Sequence, residues 1–185
     1  MLENLTIARA GAIMALNVTR TVKAGTVLVL KGPNGSGKTS FLRGLAGLLK
    51  PEAGALTNAP SFHWLSAQPI PPSLETPREY LAFHAALMGG QAGASPFGIN
   101  AILDTPFNRL STGQRQRVKL SRLMVSDRKL WLLDEPSDGL DAAGLETLLT
   151  LIASHTDNGG IAVIATHQPH LWPHAETMQF GAGAA

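Results

Sequence analysis

Short unbroken apolar runs alternate along this chain with longer stretches in which apolar residues recur every three or four positions. The runs are Thr26-Val-Leu-Val-Leu-Lys31, Leu130-Trp-Leu-Leu133 and Ile161-Ala-Val-Ile-Ala165. Each is short, bounded by polar or turn-forming residues and continuous rather than alternating, which predicts strands buried on both faces. Ser61-Phe-His-Trp-Leu-Ser66 predicts a further short strand. The periodic stretches predict helices over 40–49, 77–88, 113–126 and 142–155, the third of them basic and amphipathic. Pro51, in Lys50-Pro-Glu-Ala-Gly54, is expected to end the first helix, and the strand at 161–165 to be the final buried one. Buried strands alternating with helices indicate the α/β class, a mainly parallel sheet covered on both faces. Residues 2–8 and 12–18 alternate in part and meet around Gly11, predicting a β-hairpin or meander ahead of the first buried strand. Pro69, Pro71, Pro72 and Pro77 mark a loop that cannot join a sheet. A small-residue linker follows at 89–96, and the last five residues read as a frayed tail.

Composition narrows this picture by exclusion. A chain of 185 residues suits one domain, or a domain with a small lobe. The formal net charge of +2, with no long basic run, gives no ground for nucleic acid as a partner. Cysteine is absent, so no disulfide holds the fold. No stretch approaches the ~18 apolar residues of a membrane span. The opening Met1-Leu-Glu-Asn-Leu-Thr6 lacks the basic start and apolar core of a signal peptide. On this reading, work at a membrane requires another chain as the anchor.

The chemistry concentrates where the first buried strand ends. Gly32, Pro33, Asn34, Gly35, Ser36, Gly37, Lys38 and Thr39 form the pattern G-x-x-x-x-G-K-[ST], followed by Ser40 and a helix. Glycines let successive N–H groups turn toward one anion, and the helix N-terminus adds about half a positive charge behind them. Lys38 would reach the β- and γ-phosphates of a nucleotide, and the Thr39 hydroxyl would ligate Mg²⁺. The strand at 130–133 runs straight into Asp134 and Glu135, so its C-terminal end delivers two carboxylates. Asp134 suits Mg²⁺, and Glu135 is placed to polarise an attacking water.

Leu110-Ser-Thr-Gly-Gln114, followed by Arg115-Gln-Arg-Val-Lys-Leu120, resembles the signature motif of ATP-binding cassette (ABC) ATPases, with Thr112 in place of its first glycine. The Ser111 hydroxyl and the Gly113 N–H lie at a predicted helix start, suited to a γ-phosphate, and Gln114 is grouped with them as a nucleotide-binding residue. Three more pieces follow the family order. Gln68 in Leu65-Ser-Ala-Gln-Pro69 matches the Q-loop, whose glutamine contacts Mg²⁺ and the water. Ser137-Asp-Gly-Leu-Asp141 matches the D-loop, with Asp138 where a small residue is usual. His167 in Ala165-Thr-His167 matches the switch histidine. The resemblance covers nearly the whole chain. It implies a P-loop NTPase of the ABC type: a parallel core, an N-terminal antiparallel β-subdomain, and a short helical lobe near 69–125, within one ATP-binding domain over 1–185. It assigns catalytic roles to Glu135, His167, Gln68 and Lys38, and metal contacts to Thr39, Gln68 and Asp134. The family's usual adenine-stacking aromatic is missing, since residues 1–40 hold no Phe, Tyr or Trp; Arg9 or Ile13 is left to cover the base.

Asn158-Gly-Gly-Ile-Ala-Val-Ile-Ala-Thr-His-Gln-Pro169 is similar to the ATP-binding subunits of cytochrome c maturation systems, the haem exporter ATPases. That likeness implies ATP and Mg²⁺ as ligands, an ATP-dependent sandwich dimer of two copies, and docking on integral-membrane subunits of a haem-handling complex. It places the chain peripherally on the cytoplasmic side of a bacterial inner membrane, with release of haem-loaded chaperone as the work done. The alternatives are the ATPase subunit of another small bacterial ABC transporter and, given Thr112 and Asp138, a module that binds ATP without turnover. Direct haem binding by His167, His170 and His174 is not expected, because Pro169 and Pro173 break the helix that would align them. Trp131 and Trp172 read as packing residues. Tyr80, Leu81, Phe83 and Leu87 supply more apolar surface than a small lobe can bury, which suggests a groove for a partner helix.

Overall fold

The computed structural model describes residues 1–9 and 12–181, apart from the side chains of 9, 12–14 and 16. Gly11 and the tail after 181 fall outside the described residues, as do the side chains of Arg9 and Ile13. Two compact units form, one from Met1–Ser66, Arg128–Pro136 and the chain from Ser154, the other from Ala67–Asp127 and Ser137–Ala153.

The first unit holds both sheets. Strands β1 (Leu2–Arg9), β2 (Ala12–Arg20) and β4 (Ala53–Leu56) make an antiparallel sheet in the order β2-β1-β4. Strands β3 (Val27–Lys31), β5 (Phe62–Leu65), β6 (Leu130–Asp134), β7 (Ile161–Ala165) and β8 (Glu176–Gln179) make a parallel sheet in the order β5-β6-β7-β3-β8. Its three central strands are the continuous apolar runs, and Leu28, Val29, Leu30, Leu132, Leu133 and Ile164 are fully buried there. Helix α1 (Lys38–Leu45) sets Phe41 and Leu42 into a core shared with Leu5, Ile7, Leu130, Val163 and Phe180. Parallel pairing aligns all five C-terminal strand ends on one edge, where such sheets hold their ligands.

The second unit contains helix α2 (Pro77–Met88), helix α3 (Thr112–Ser121) and most of helix α4 (Ala142–Asp157). Phe97, Ile99, Phe107, Val118, Leu120 and Leu148 are buried in it. Tyr80 packs edge-on to Phe107, with ring centroids 5.5 Å apart, and its hydroxyl accepts from Arg122. The expected lobe at 69–125 falls inside this unit.

Several elements differ from expectation. Helix α1 stops at Leu45, well before Pro51, because Gly47 takes a left-handed φ of 69°. The N–H groups of Gly47 and Leu48 then close back on the carbonyls of Gly44 and Arg43, a Schellman ending that satisfies the last turn. Helix α3 gives way at Ser121 to a 3₁₀ turn over Arg122–Met124, where the Ser121 hydroxyl donates to the Arg117 carbonyl four residues back. Strand β4 went unanticipated because its Ala-Gly-Ala-Leu sequence carries little apolar signal. Strand β8, polar and on the sheet edge, follows β7, so 161–165 is the last buried strand but an exposed one comes after it.

Candidate functional site

In the first unit the phosphate-loop residues follow β3 directly. Gly32 has φ 150°, and a Cβ there would lie 2.3 Å from the Phe180 carbonyl oxygen and 2.8 Å from Ser36 Oγ, so only glycine fits. Gly35 and Gly37 also take positive φ. Gly37 caps α1 with no side chain bonded to the helix start, which leaves that positive end open to an anion. Lys38 is buried and folds back, its Nζ donating to the carbonyls of Gly32 at 2.7 Å and Pro33 at 3.0 Å. Ser40 is buried beneath the loop, while Pro33, Asn34 and Gly35 are exposed.

Asp134 ends β6 and is buried. The Thr39 hydroxyl lies 2.9 and 3.1 Å from its two carboxylate oxygens. Glu135 leaves the strand at φ 47°, a backbone region costly for a residue with a side chain and found most often at functional sites. The register Asp134↔Ala165 brings the ends of β6 and β7 together. Glu135 N–H donates to the Ala165 carbonyl at 2.9 Å. Its Oε2 accepts from the His167 backbone N–H at 3.2 Å and lies 2.9 Å from His167 Nδ1. The direct Glu135–His167 pair was not foreseen; residues 32 apart carry no local signal, and only the register reveals it. His170 lies in a 3₁₀ turn begun by Pro169, and both it and His174 are exposed. Trp131 and Trp172 are buried.

These residues fit a nucleotide with its cation. Among the described residues, Ser36 Oγ is buried without a hydrogen-bond partner, in a loop packed too closely at Gly32 to admit any Cβ. An unmet buried hydroxyl beside an open helix N-terminus and a lysine held on neutral carbonyls is the donor set for phosphate. Thr39 and Asp134, already paired, supply the hard oxygen ligands that Mg²⁺ takes.

The second unit carries the other predicted residues. Ser111 caps α3, its Oγ accepting from Gln114 N–H at 3.2 Å while Gln114 Oε1 accepts from Ser111 N–H at 2.8 Å. The Ser111 oxygen acts as acceptor there, so its proton is left to donate elsewhere. A Cβ on Gly113 would lie 3.0 Å from the Gly139 carbonyl oxygen, so the signature and D-loop backbones touch. Thr112 and Asp138, the two departures from the family pattern, are both exposed. The Gln68 side chain is exposed and its carbonyl accepts from Lys119 Nζ at 3.3 Å. Of the four residues expected to form a partner groove, Leu81 is buried and Tyr80 half-buried, while Phe83 and Leu87 are exposed. Leu74, at 80% exposure, joins them and was missed.

Comparison with known proteins agrees with this layout. The ABC transporter family pattern matches residues 15–83 and 85–138. The cytochrome c biogenesis ATP-binding export protein CcmA of Hyphomonas neptunium is 37% identical, over 92% of this chain and 91% of its own length. CcmA of Paracoccus denitrificans is 38% identical, over 97% of this chain and 87% of its own. Among solved structures, a putative ABC transporter ATP-binding protein from Pyrococcus furiosus superimposes with a TM-score of 0.80 at 22% identity, covering 96% of this chain and 95% of that one. The fold and these likenesses together make this chain a member of the ABC transporter family, on its ATP-binding side.

Proposed function

We propose that the whole chain, 1–185, acts as one ATP-binding domain that hydrolyses Mg-ATP as half of a sandwich dimer and drives membrane subunits in cytochrome c biogenesis; the CcmA relatives' names, which give ATP binding, export and cytochrome c biogenesis, support the last of these. The observation that carries hydrolysis is the Glu135–His167 hydrogen bond at the joined ends of β6 and β7. A carboxylate fixed by two donors from one histidine is an oriented base, which a module that only binds ATP does not require.

The loop from Gly32 to Ser40 holds the phosphates, with Lys38 leaving the Gly32 and Pro33 carbonyls to meet them. Thr39 and Asp134, with Gln68 as the family resemblance implies, would hold Mg²⁺, which would supply positive charge against that developing on the phosphates. Glu135 takes the proton of the attacking water as its oxygen bonds the γ-phosphorus and the bond to the β-phosphate oxygen breaks, leaving ADP and phosphate. His167 orients Glu135 and reaches the γ-phosphate. Ser111, Gly113 and Gln114 hold the γ-phosphate of the nucleotide bound by the second copy. Among the described residues, no helix is long and apolar enough to cross a membrane. We therefore place the chain peripherally, on the cytoplasmic side of the inner membrane, held by its partners. The exposed Leu74, Phe83 and Leu87 are the surface we assign to a cytoplasmic helix of those subunits.

Glu135→Gln tests the base, since the amide keeps shape and loses basicity. Turnover should fall at least about 100-fold, while light scattering should show a dimer stabilised by Mg-ATP. Wild-type turnover in this variant would refute the assignment.

A further inference from the structure

We infer that Lys119 is a positioning residue for the Gln68 loop, a role that rests on the ATPase reading above. Lys119 is 4% exposed, on the buried side of α3, and Gln68 is exposed. A lysine this deep keeps its ammonium inside only where oxygens meet it, and the carbonyl of Gln68 is one of them. Pro69, Pro71 and Pro72 deprive this segment of three backbone donors, so sheet pairing cannot hold it. Ile70, 8% exposed, pins one point of the loop, and the Lys119 bond pins another. Holding the Gln68 carbonyl fixes the peptide plane between residues 68 and 69, and Pro69 fixes φ on its far side. The direction in which the Gln68 side chain leaves the backbone is thereby set by a residue with no part in binding nucleotide.

The same helix also holds the D-loop. Arg117 Nη2 donates to both carboxylate oxygens of Asp141, at 2.6 and 2.7 Å. Asp141 Oδ1 in turn accepts from the Gly144 N–H at 2.9 Å at the start of α4. Two residues apart on a helix, Arg117 and Lys119 point about 200° from one another. Helix α3, capped by Ser111, thus grips the Gln68 loop and the D-loop from different sides.

The test uses the chain purified together with the membrane proteins that accompany it from detergent extract. Lys119→Met keeps the length and apolar stem and removes the ammonium. Its kcat should fall about tenfold with KM for ATP within about twofold, and its thermal midpoint should match wild type. Lys119→Arg, still able to donate to the Gln68 carbonyl, should recover most of kcat. Gln68→Ala should lose a similar factor, and the double variant no more than Gln68→Ala alone, because Lys119 acts through Gln68. Wild-type kcat in Lys119→Met, or multiplicative losses in the double variant, would overturn the proposal. If the wild-type complex shows no ATPase that Glu135→Gln abolishes, the ATPase reading has failed instead. Hydrogen exchange at the amides of Ser66, Ala67, Gln68 and Ile70 then decides the placement alone: faster in Lys119→Met supports it, equal rates refute it. Should Lys119→Met not fold, the same exchange comparison is made with Lys119→Gln, whose shorter donor loosens the loop.

Discussion

Lys38 shows how the site is kept in readiness. Its ammonium is buried and lies on two backbone carbonyls of its own loop, so the charge is satisfied before a nucleotide arrives. On the proposed reading, nucleotide binding would exchange those neutral acceptors for phosphate oxygens, and charge-assisted bonds are the stronger. Lys38→Ala should raise the Kd for ATP at least ~30-fold, equivalent to ~2 kcal/mol, measured with a fluorescent nucleotide. An unchanged Kd would remove residues 32–39 from the binding role. Much at this scale was legible beforehand: the loop, Asp134, Glu135 and His167 lie at strand ends that the apolar runs announce. The Glu135–His167 bond was not, because it depends on which strands are neighbours, and β6 and β7 are separated in sequence by α4. Lys119 was hidden for a different reason. A lysine in a helix that looks basic all along gives no sign of facing inward.

At the scale of elements, the helix whose limits the sequence predicted residue for residue is the one with the fullest local signals. Helix α2 opens with Thr76 and Pro77, and closes at Gly89 in the left-handed region. Thr76 and Glu79 form a reciprocal capping box: Thr76 N–H donates to Glu79 Oε2 at 2.8 Å, and Glu79 N–H to Thr76 Oγ1 at 3.3 Å. Thr76→Ala should cost about 1 kcal/mol in urea denaturation and leave ATP affinity unchanged. The bond from the Thr76 backbone N–H, and then that from its hydroxyl, hold the Glu79 carboxyl below its usual range. Its contribution is therefore complete above the unfolded carboxylate value of about 4.3 and is lost as pH falls through the lower folded value. The gap between wild type and Thr76→Ala should narrow in that acid range. Elements without such signals were misjudged: β4 and β8 exist because neighbouring strands offer unpaired edges, a property of the sheet rather than of their own sequences.

For the whole molecule, Leu74, Phe83 and Leu87 lie exposed in the second unit, where a monomer gains nothing from them. Leu74→Asp with Phe83→Asp should cut recovery of membrane partners about tenfold, a change of ~1.4 kcal/mol, while the melting temperature of the purified chain stays put. Undiminished recovery would move the docking surface elsewhere. The strand order carries a consequence for synthesis. Among the described residues, strand β3, which leads into residues 32–39, is hydrogen-bonded in the sheet to β7 and β8 alone, and both are translated more than 125 residues later. A chain growing from the ribosome can pack Leu28 and Leu30 against Phe41 and Leu42 early, but the backbone of β3 waits for its sheet partners until residues 161–179 emerge. On the proposed reading, nucleotide binding awaits the strands beside β3, and until they emerge its unpaired edges are open to wrong partners.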